Sequence, residues 1–109
     1  MPSNLSEKKC GPCEEVKSLP LEEVKPLLLE IPEWESTSDF KSITRTFTFN
    51  DFMEAISFIN KIADIAESNN HHPDINIHAY KKVTITLSTH SVKGLSESDF
   101  IIAAKIDEI

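Results

Sequence analysis

Apolar positions along the chain change period several times, and each change predicts an element. Residues 21–30 (LEEVKPLLLE) place Leu21, Val24, Leu27 and Leu28 on one side of a helix. Pro26 removes one backbone donor inside that helix, and Pro32 stops it. A short β segment is expected at 34–36, after which Thr37, Ser38 and Asp39 suit a turn. Over 42–49 (SITRTFTF) the period falls to two. Ile43, Arg45, Phe47 and Phe49 alternate there with Thr44, Thr46 and Thr48, β-formers throughout. Asn50 then reads as an N-cap with Asp51 in the first turn. Phe52, Ile56, Ile59, Ala63 and Ala66 recur at helical spacing as far as about Ser68, where Asn69 and Asn70 end the helix.

Pro73 cannot continue that helix and biases His72 away from helical angles. A second β pair covers 74–79 (DINIHA) and 82–89 (KVTITLST). In the latter, Val83, Ile85 and Leu87 share one face while Thr84, Thr86 and Ser88 share the other. Gly94 turns the chain, and Ser96-x-x-Asp99 is a capping pattern that opens a last helix through Ile101, Ile102, Lys105 and Ile106. This order of helix, hairpin, long helix, hairpin and helix predicts an α+β fold. Its form is a two-layer sandwich, an antiparallel four-stranded sheet with helices on one face. Trp34, Phe47, Phe49, Phe52 and Phe58 are the expected aromatic part of the core. The threonine-rich strand face has no helix left to cover it, so it meets water or a second copy of the sheet.

Residues 21–109 are read as a single domain and 1–20 as a flexible arm, since Pro, Gly, Lys and Glu stand there in no apolar period. A length of 109 residues suits one domain whose core needs no covalent staple. Eighteen acidic against eleven basic residues give a formal charge of −7, a field that repels a phosphate backbone. Direct nucleic-acid binding is therefore disfavoured, while a protein partner is not. No apolar run approaches the ~20 residues of a membrane span. The first thirteen residues lack the apolar stretch of a secretory signal and the arginines of a transit peptide. A cytoplasmic location is expected, with Cys10 and Cys13 reduced.

The candidate chemistry lies in the histidines. Two of them, His71 and His72, stand between a helix end and a proline, which is not how a core is filled. Imidazole titrates at about 6.5 when unperturbed and so exchanges protons at neutral pH. From the dipeptide alone, a pair of surface histidines is the plainer reading. His90 strengthens the catalytic one, because its parity places it with Thr84, Thr86 and Ser88, away from the apolar strand face. Neighbouring histidines chelate a single ion poorly, and no second cluster has metal spacing, so no metal is expected. Cys10-Gly-Pro-Cys13 reads like a thioredoxin redox motif, but no strand precedes it and no βαβ unit holds it, which leaves it a tail feature. Asp99 reads locally as the capping carboxylate, and His78 beside Asn76 as an exposed strand residue.

Taken together, Glu67-x-x-x-His71-His72-Pro73, Tyr80, the strand Thr84-Ile85-Thr86-Leu87-Ser88-Thr89-His90, Gly94-Leu95-Ser96 and Asp99 strongly resemble the pterin-4a-carbinolamine dehydratases. That family is also known as the dimerisation cofactors of a homeodomain transcription factor. The likeness extends upstream to Trp34 and Phe47-Thr48-Phe49-Asn50-Asp51-Phe52, covering about 21–109. The stretch between Pro73 and Tyr80 is one residue longer than in many animal members, and the cysteine-bearing arm is outside the family's catalytic pattern.

The resemblance implies dehydration of 4a-hydroxytetrahydropterin, the product of aromatic amino-acid hydroxylases, to quinonoid dihydropterin and water, within tetrahydrobiopterin recycling. It implies no metal or organic cofactor. His71, His72 and His90 would be the general acid and base, with His72 foremost. Glu67, Pro73, Thr89, Ser91 and Asp99 would complete the pterin pocket around them. The residue types suit the reaction, because hydroxide leaves poorly without a proton and N5 must lose one. Each such transfer typically contributes ~10²–10⁴-fold. The resemblance equally permits a binding module that acts as dimerisation cofactor or coactivator of a protein partner. A homodimer or homotetramer is expected, since an open β face and edge strands invite pairing.

Overall fold

The computed structural model describes residues 19–89 and 94–109. The expected arm up to residue 18, with both cysteines, and residues 90–93, with His90 and Ser91, lie outside the described residues. Seven elements follow in order: α1 (Leu21–Leu29), β1 (Glu35–Ser36), β2 (Ile43–Thr48), α2 (Phe52–Asn69), β3 (Asp74–His78), β4 (Lys82–Leu87) and α3 (Glu97–Asp107). The strands make one antiparallel four-stranded sheet, as the sequence predicts, and their order in it is β1-β2-β4-β3.

Register follows from the period-two pattern. Ile43 pairs with Leu87, Arg45 with Ile85 and Phe47 with Val83. One face therefore collects every apolar residue of β2 and β4, because a slip of one position would turn them all outward. Ile43, Val83, Ile85 and Leu87 on that face are completely buried. Val24 of α1, Phe58 and Ile62 of α2, and Phe100, Ile102 and Ile106 of α3 pack against them in one core. Burying each such side chain contributes roughly 1.5–3 kcal/mol. On the opposite face Thr44 lies across from Thr86 and Thr46 from Thr84, hydroxyl to hydroxyl at 3.4 and 2.9 Å. His78 extends that row, its Nε2 lying 2.9 Å from Thr84 Oγ1. Within the described residues no helix covers this polar side, in keeping with the expected one-sided sandwich.

Several local expectations shift. The N-cap of α2 is Asp51, not Asn50: its carboxylate accepts from the Glu54 N–H at 2.8 Å, while the Asn50 N–H donates back to Glu54 Oε1 at 3.0 Å. Asp51 thus caps the Glu54 N–H while Glu54 holds the N–H of the preceding residue, Asn50, and the cap lies one residue further on than expected. The inward stripe of α2 is Ala55, Phe58, Ile62 and Ala66, with Ile56 only half-buried and Ala63 exposed. Apolar residues occupy more than half of this helix's circumference, so spacing alone does not fix which of them face in. Phe52, expected in the core, is 48% exposed on the first turn. Leu19, within the stretch read as an arm, packs against the core, and its N–H donates to Leu95 O at 2.9 Å. β4 ends at Leu87, two residues early, and Thr89 instead bridges Gly94 across residues 90–93.

Candidate active site

The end of α2 positions the first two candidate residues. Asn70 takes the left-handed conformation, φ 50° and ψ 41°, which asparagine tolerates better than most residues. The His71 N–H then returns to Ala66 O at 3.1 Å, closing the helix. Pro73 holds the next step extended before β3 begins at Asp74. His71 and His72 leave this turn in different directions, one toward the protein and one toward water.

His71 turns inward, its side chain only 14% exposed, with Nε2 2.7 Å from Asp99 Oδ1. Asp99 itself is completely buried on the first turn of α3. Its second oxygen, Oδ2, accepts the Thr89 hydroxyl at 2.8 Å and the Ser96 N–H at 2.9 Å. A buried carboxylate requires such donors, because an unpaired charge in the interior costs several kcal/mol. A carboxylate only accepts, so the bonded Nε2 of His71 carries a proton. His72 turns outward and meets Glu67, with Nε2 2.5 Å from Oε2 and side chains 57% and 78% exposed. Glu67 lies one helical turn back along α2, which brings its carboxylate beside the helix end.

The structure thus brings together His71, Thr89 and Asp99 in one cluster and His72 with Glu67 in another, joined by the peptide between the two histidines. Pro73 is half-buried beside them. Trp34 is not part of this group; its Nε1–H donates to Asp107 Oδ1 at 2.9 Å, beside Arg45 on the same oxygen at 2.6 Å. Tyr80 is exposed at the β3–β4 connection. Asp99 both caps α3 and holds a histidine, one oxygen for each task. Ser96 was legible in the sequence as a cap and not as a member of the cluster, although the capping spacing already fixed its nearness to Asp99. Among the described residues, no three histidine, cysteine or acidic side chains group as a metal site, and no helix is long and apolar enough to cross a membrane.

The fold is thus an α+β sandwich that sets two adjacent histidines against two carboxylates at a helix end. Residues 17–109 match the family model described as pterin 4 alpha carbinolamine dehydratase, and the chain belongs to that family. A protein of Rubrobacter xylanophilus named "Putative pterin-4-alpha-carbinolamine dehydratase" is 43% identical over 108 residues, spanning 98% of this chain and 99% of its own. The solved structure of a transcriptional coactivator/pterin dehydratase from Brucella melitensis superposes with a TM-score of 0.77 at 35% identity, over 84% of this chain and 96% of that one. A second solved structure, a pterin dehydratase-like RuBisCO assembly factor of the alpha-carboxysome, gives a TM-score of 0.60 at 25% identity, over 70% and 87%.

Proposed function

We propose that this protein dehydrates 4a-hydroxytetrahydropterin to quinonoid dihydropterin and water, as a cytoplasmic homo-oligomer serving tetrahydrobiopterin recycling. The observation that carries this reading is the pair of adjacent histidines, each bonded through Nε2 to a carboxylate. The reaction needs one group to protonate the departing 4a oxygen and another to receive the N5 proton. Two rings held on either side of one peptide, with His90 as the third, supply such groups without a metal. Glu67, Pro73 and Ser91 complete the pterin pocket in this reading. Each well-placed transfer is worth roughly 10²–10⁴ in rate.

The assembly-factor relative motivates a second reading, in which the uncovered threonine face of the sheet docks a protein partner. The histidine–carboxylate pairs favour the enzyme, since a scaffold has no use for them. The test is stopped-flow dehydration of enzymatically generated carbinolamine, with and without a chelator. Acceleration that survives the chelator is expected. A rate equal to that of buffer alone would overturn the enzymatic reading and leave the docking one.

A further inference from the structure

We infer that Ser96 and Thr89 are positioning residues whose hydroxyls form a directed chain into Asp99, thereby holding His71 with its proton on Nε2 and its lone pair on Nδ1. The catalytic consequence rests on the dehydratase reading above, whereas the geometry of the chain does not.

The direction of the chain follows from counting protons. Thr89 Oγ1 lies 2.8 Å from Asp99 Oδ2 and 2.7 Å from Ser96 Oγ. A hydroxyl has one proton, and a carboxylate oxygen can only accept, so the Thr89 proton goes to Asp99. Ser96 must then donate its own proton to Thr89. The order is Ser96 O–H to Thr89 O–H to Asp99 Oδ2, with Asp99 Oδ1 left for the His71 Nε2–H. All three members are buried, with Thr89 6%, Ser96 1% and Asp99 0% exposed. Hydrogen bonds aligned in this way polarise one another inside the protein.

Folding alone does not call for the Thr89 hydroxyl. Thr89 has the parity of Val83, Ile85 and Leu87, the completely buried face of β4, where valine would fit the same space. The α3 cap is the reciprocal pair of Ser96 Oγ accepting the Asp99 N–H and Asp99 Oδ2 accepting the Ser96 N–H, and neither bond uses the Thr89 hydroxyl. A hydroxyl buried on an apolar face is costly unless bonded, so its presence at 89 has to be explained by what it bonds. What it bonds is the carboxylate that holds His71. Two donors on Oδ2 keep that carboxylate from turning, so Oδ1 stays on the ring. In the neutral ring Nδ1 is then the nitrogen able to take a proton. For the proposed dehydration, His71 therefore acts through Nδ1 and not through Nε2.

The test combines imidazole ¹H–¹⁵N NMR of the full chain with steady-state dehydration kinetics on Thr89→Val, Thr89→Ser and Ser96→Ala. The wild type is expected to show a sharp, slowly exchanging His71 Nε2–H resonance. Thr89→Val should broaden or lose it and lower kcat about tenfold with KM unchanged, the effect of losing one hydrogen bond to a charged group. Thr89→Ser should restore both readouts, which mere repair of packing would not do, and Ser96→Ala should move both in the direction of valine by less. A Thr89→Val protein that keeps the wild-type resonance and kcat overturns the inference, as does a serine variant that behaves like the valine one. Should the valine variant fail to fold, Ser96→Ala decides by the same two readouts. If the resonance responds but the wild type has no dehydratase activity, the proposed function fails and the chain stands.

Discussion

His71 and His72 each bond a carboxylate through Nε2, but their surroundings differ sharply. Asp99 is completely buried and receives three donors, from His71, Thr89 and Ser96. Glu67 is 78% exposed and meets His72, itself 57% exposed. The first pair is built into the core, between the end of α2 and the start of α3, so removing a member strands polar groups away from water. The second sits on the surface, where solvent replaces whatever is lost. The first pair should therefore weigh on stability as well as on chemistry and the second on chemistry alone, although a single peptide joins them.

The largest effect is expected at the buried pair. Asp99→Ala leaves the Thr89 hydroxyl, the Ser96 N–H and the His71 ring without their acceptor. A loss of about 3–5 kcal/mol is expected, the usual result of breaking a buried charged network by removing one partner. Urea unfolding monitored by circular dichroism measures it; a loss below ~1 kcal/mol would mean that Asp99 is not needed to satisfy the cluster.

Next in size is the exposed histidine. His72→Ala is expected to lower turnover at least about tenfold, the low end for a general acid or base, with the unfolding midpoint unchanged. Dehydration at the wild-type rate by this variant would remove His72 from the mechanism. Unfolding together with the loss of rate would erase the contrast between the two histidines. Glu67→Gln keeps the size of its side chain and removes the charge facing His72. Its stability change is expected to stay within ~1 kcal/mol, as for surface ion pairs generally, and should shrink further in high salt. A larger change in the same urea experiment would show that the outer pair is structural too.

The contrast explains which parts of the molecule were legible in the sequence. Period two in β2 and β4 dictated both strands and their inward faces, because alternation admits only two registers and one of them exposes Ile43, Val83, Ile85 and Leu87. The helix α2 was equally plain as a helix but not in its orientation. Phe52, Ile56 and Ala63 are as apolar as the residues that turn inward, and only packing against the sheet chooses between them. The pairing of His72 with Glu67 was near at hand, since both stand at the end of one helix. That of His71 with Asp99 joins residues 28 apart in sequence, and nothing local marks it. Asp99 satisfies a capping pattern completely, so its local spacing shows no second task, and only the family resemblance placed it at the site. Thr89 likewise reads locally as a β-former at the end of a β run, and it too was placed at the site only by the resemblance.

A third carboxylate tests whether exposure alone separates the two pairs. Asp39 is exposed like Glu67, yet it is engaged: its Oδ1 accepts the Thr37 hydroxyl at 2.6 Å and the Lys41 N–H at 3.1 Å. The Thr37 hydroxyl first, and then the Lys41 backbone, hold its carboxyl below the usual carboxylate range. A carboxyl whose folded value is lowered stabilises the fold above its unfolded value of about 3.9, and loses that contribution as pH falls through the folded one. Asp39→Asn is therefore expected to be slightly less stable than wild type at neutral pH, with the difference vanishing in acid as Asp39 takes up its proton. Paired urea titrations from neutral to acid pH measure it. A difference that stays constant across that range would assign the effect to the shape of the 37–42 turn, and the charge on an exposed carboxylate would then carry no weight in comparing Asp99 with Glu67.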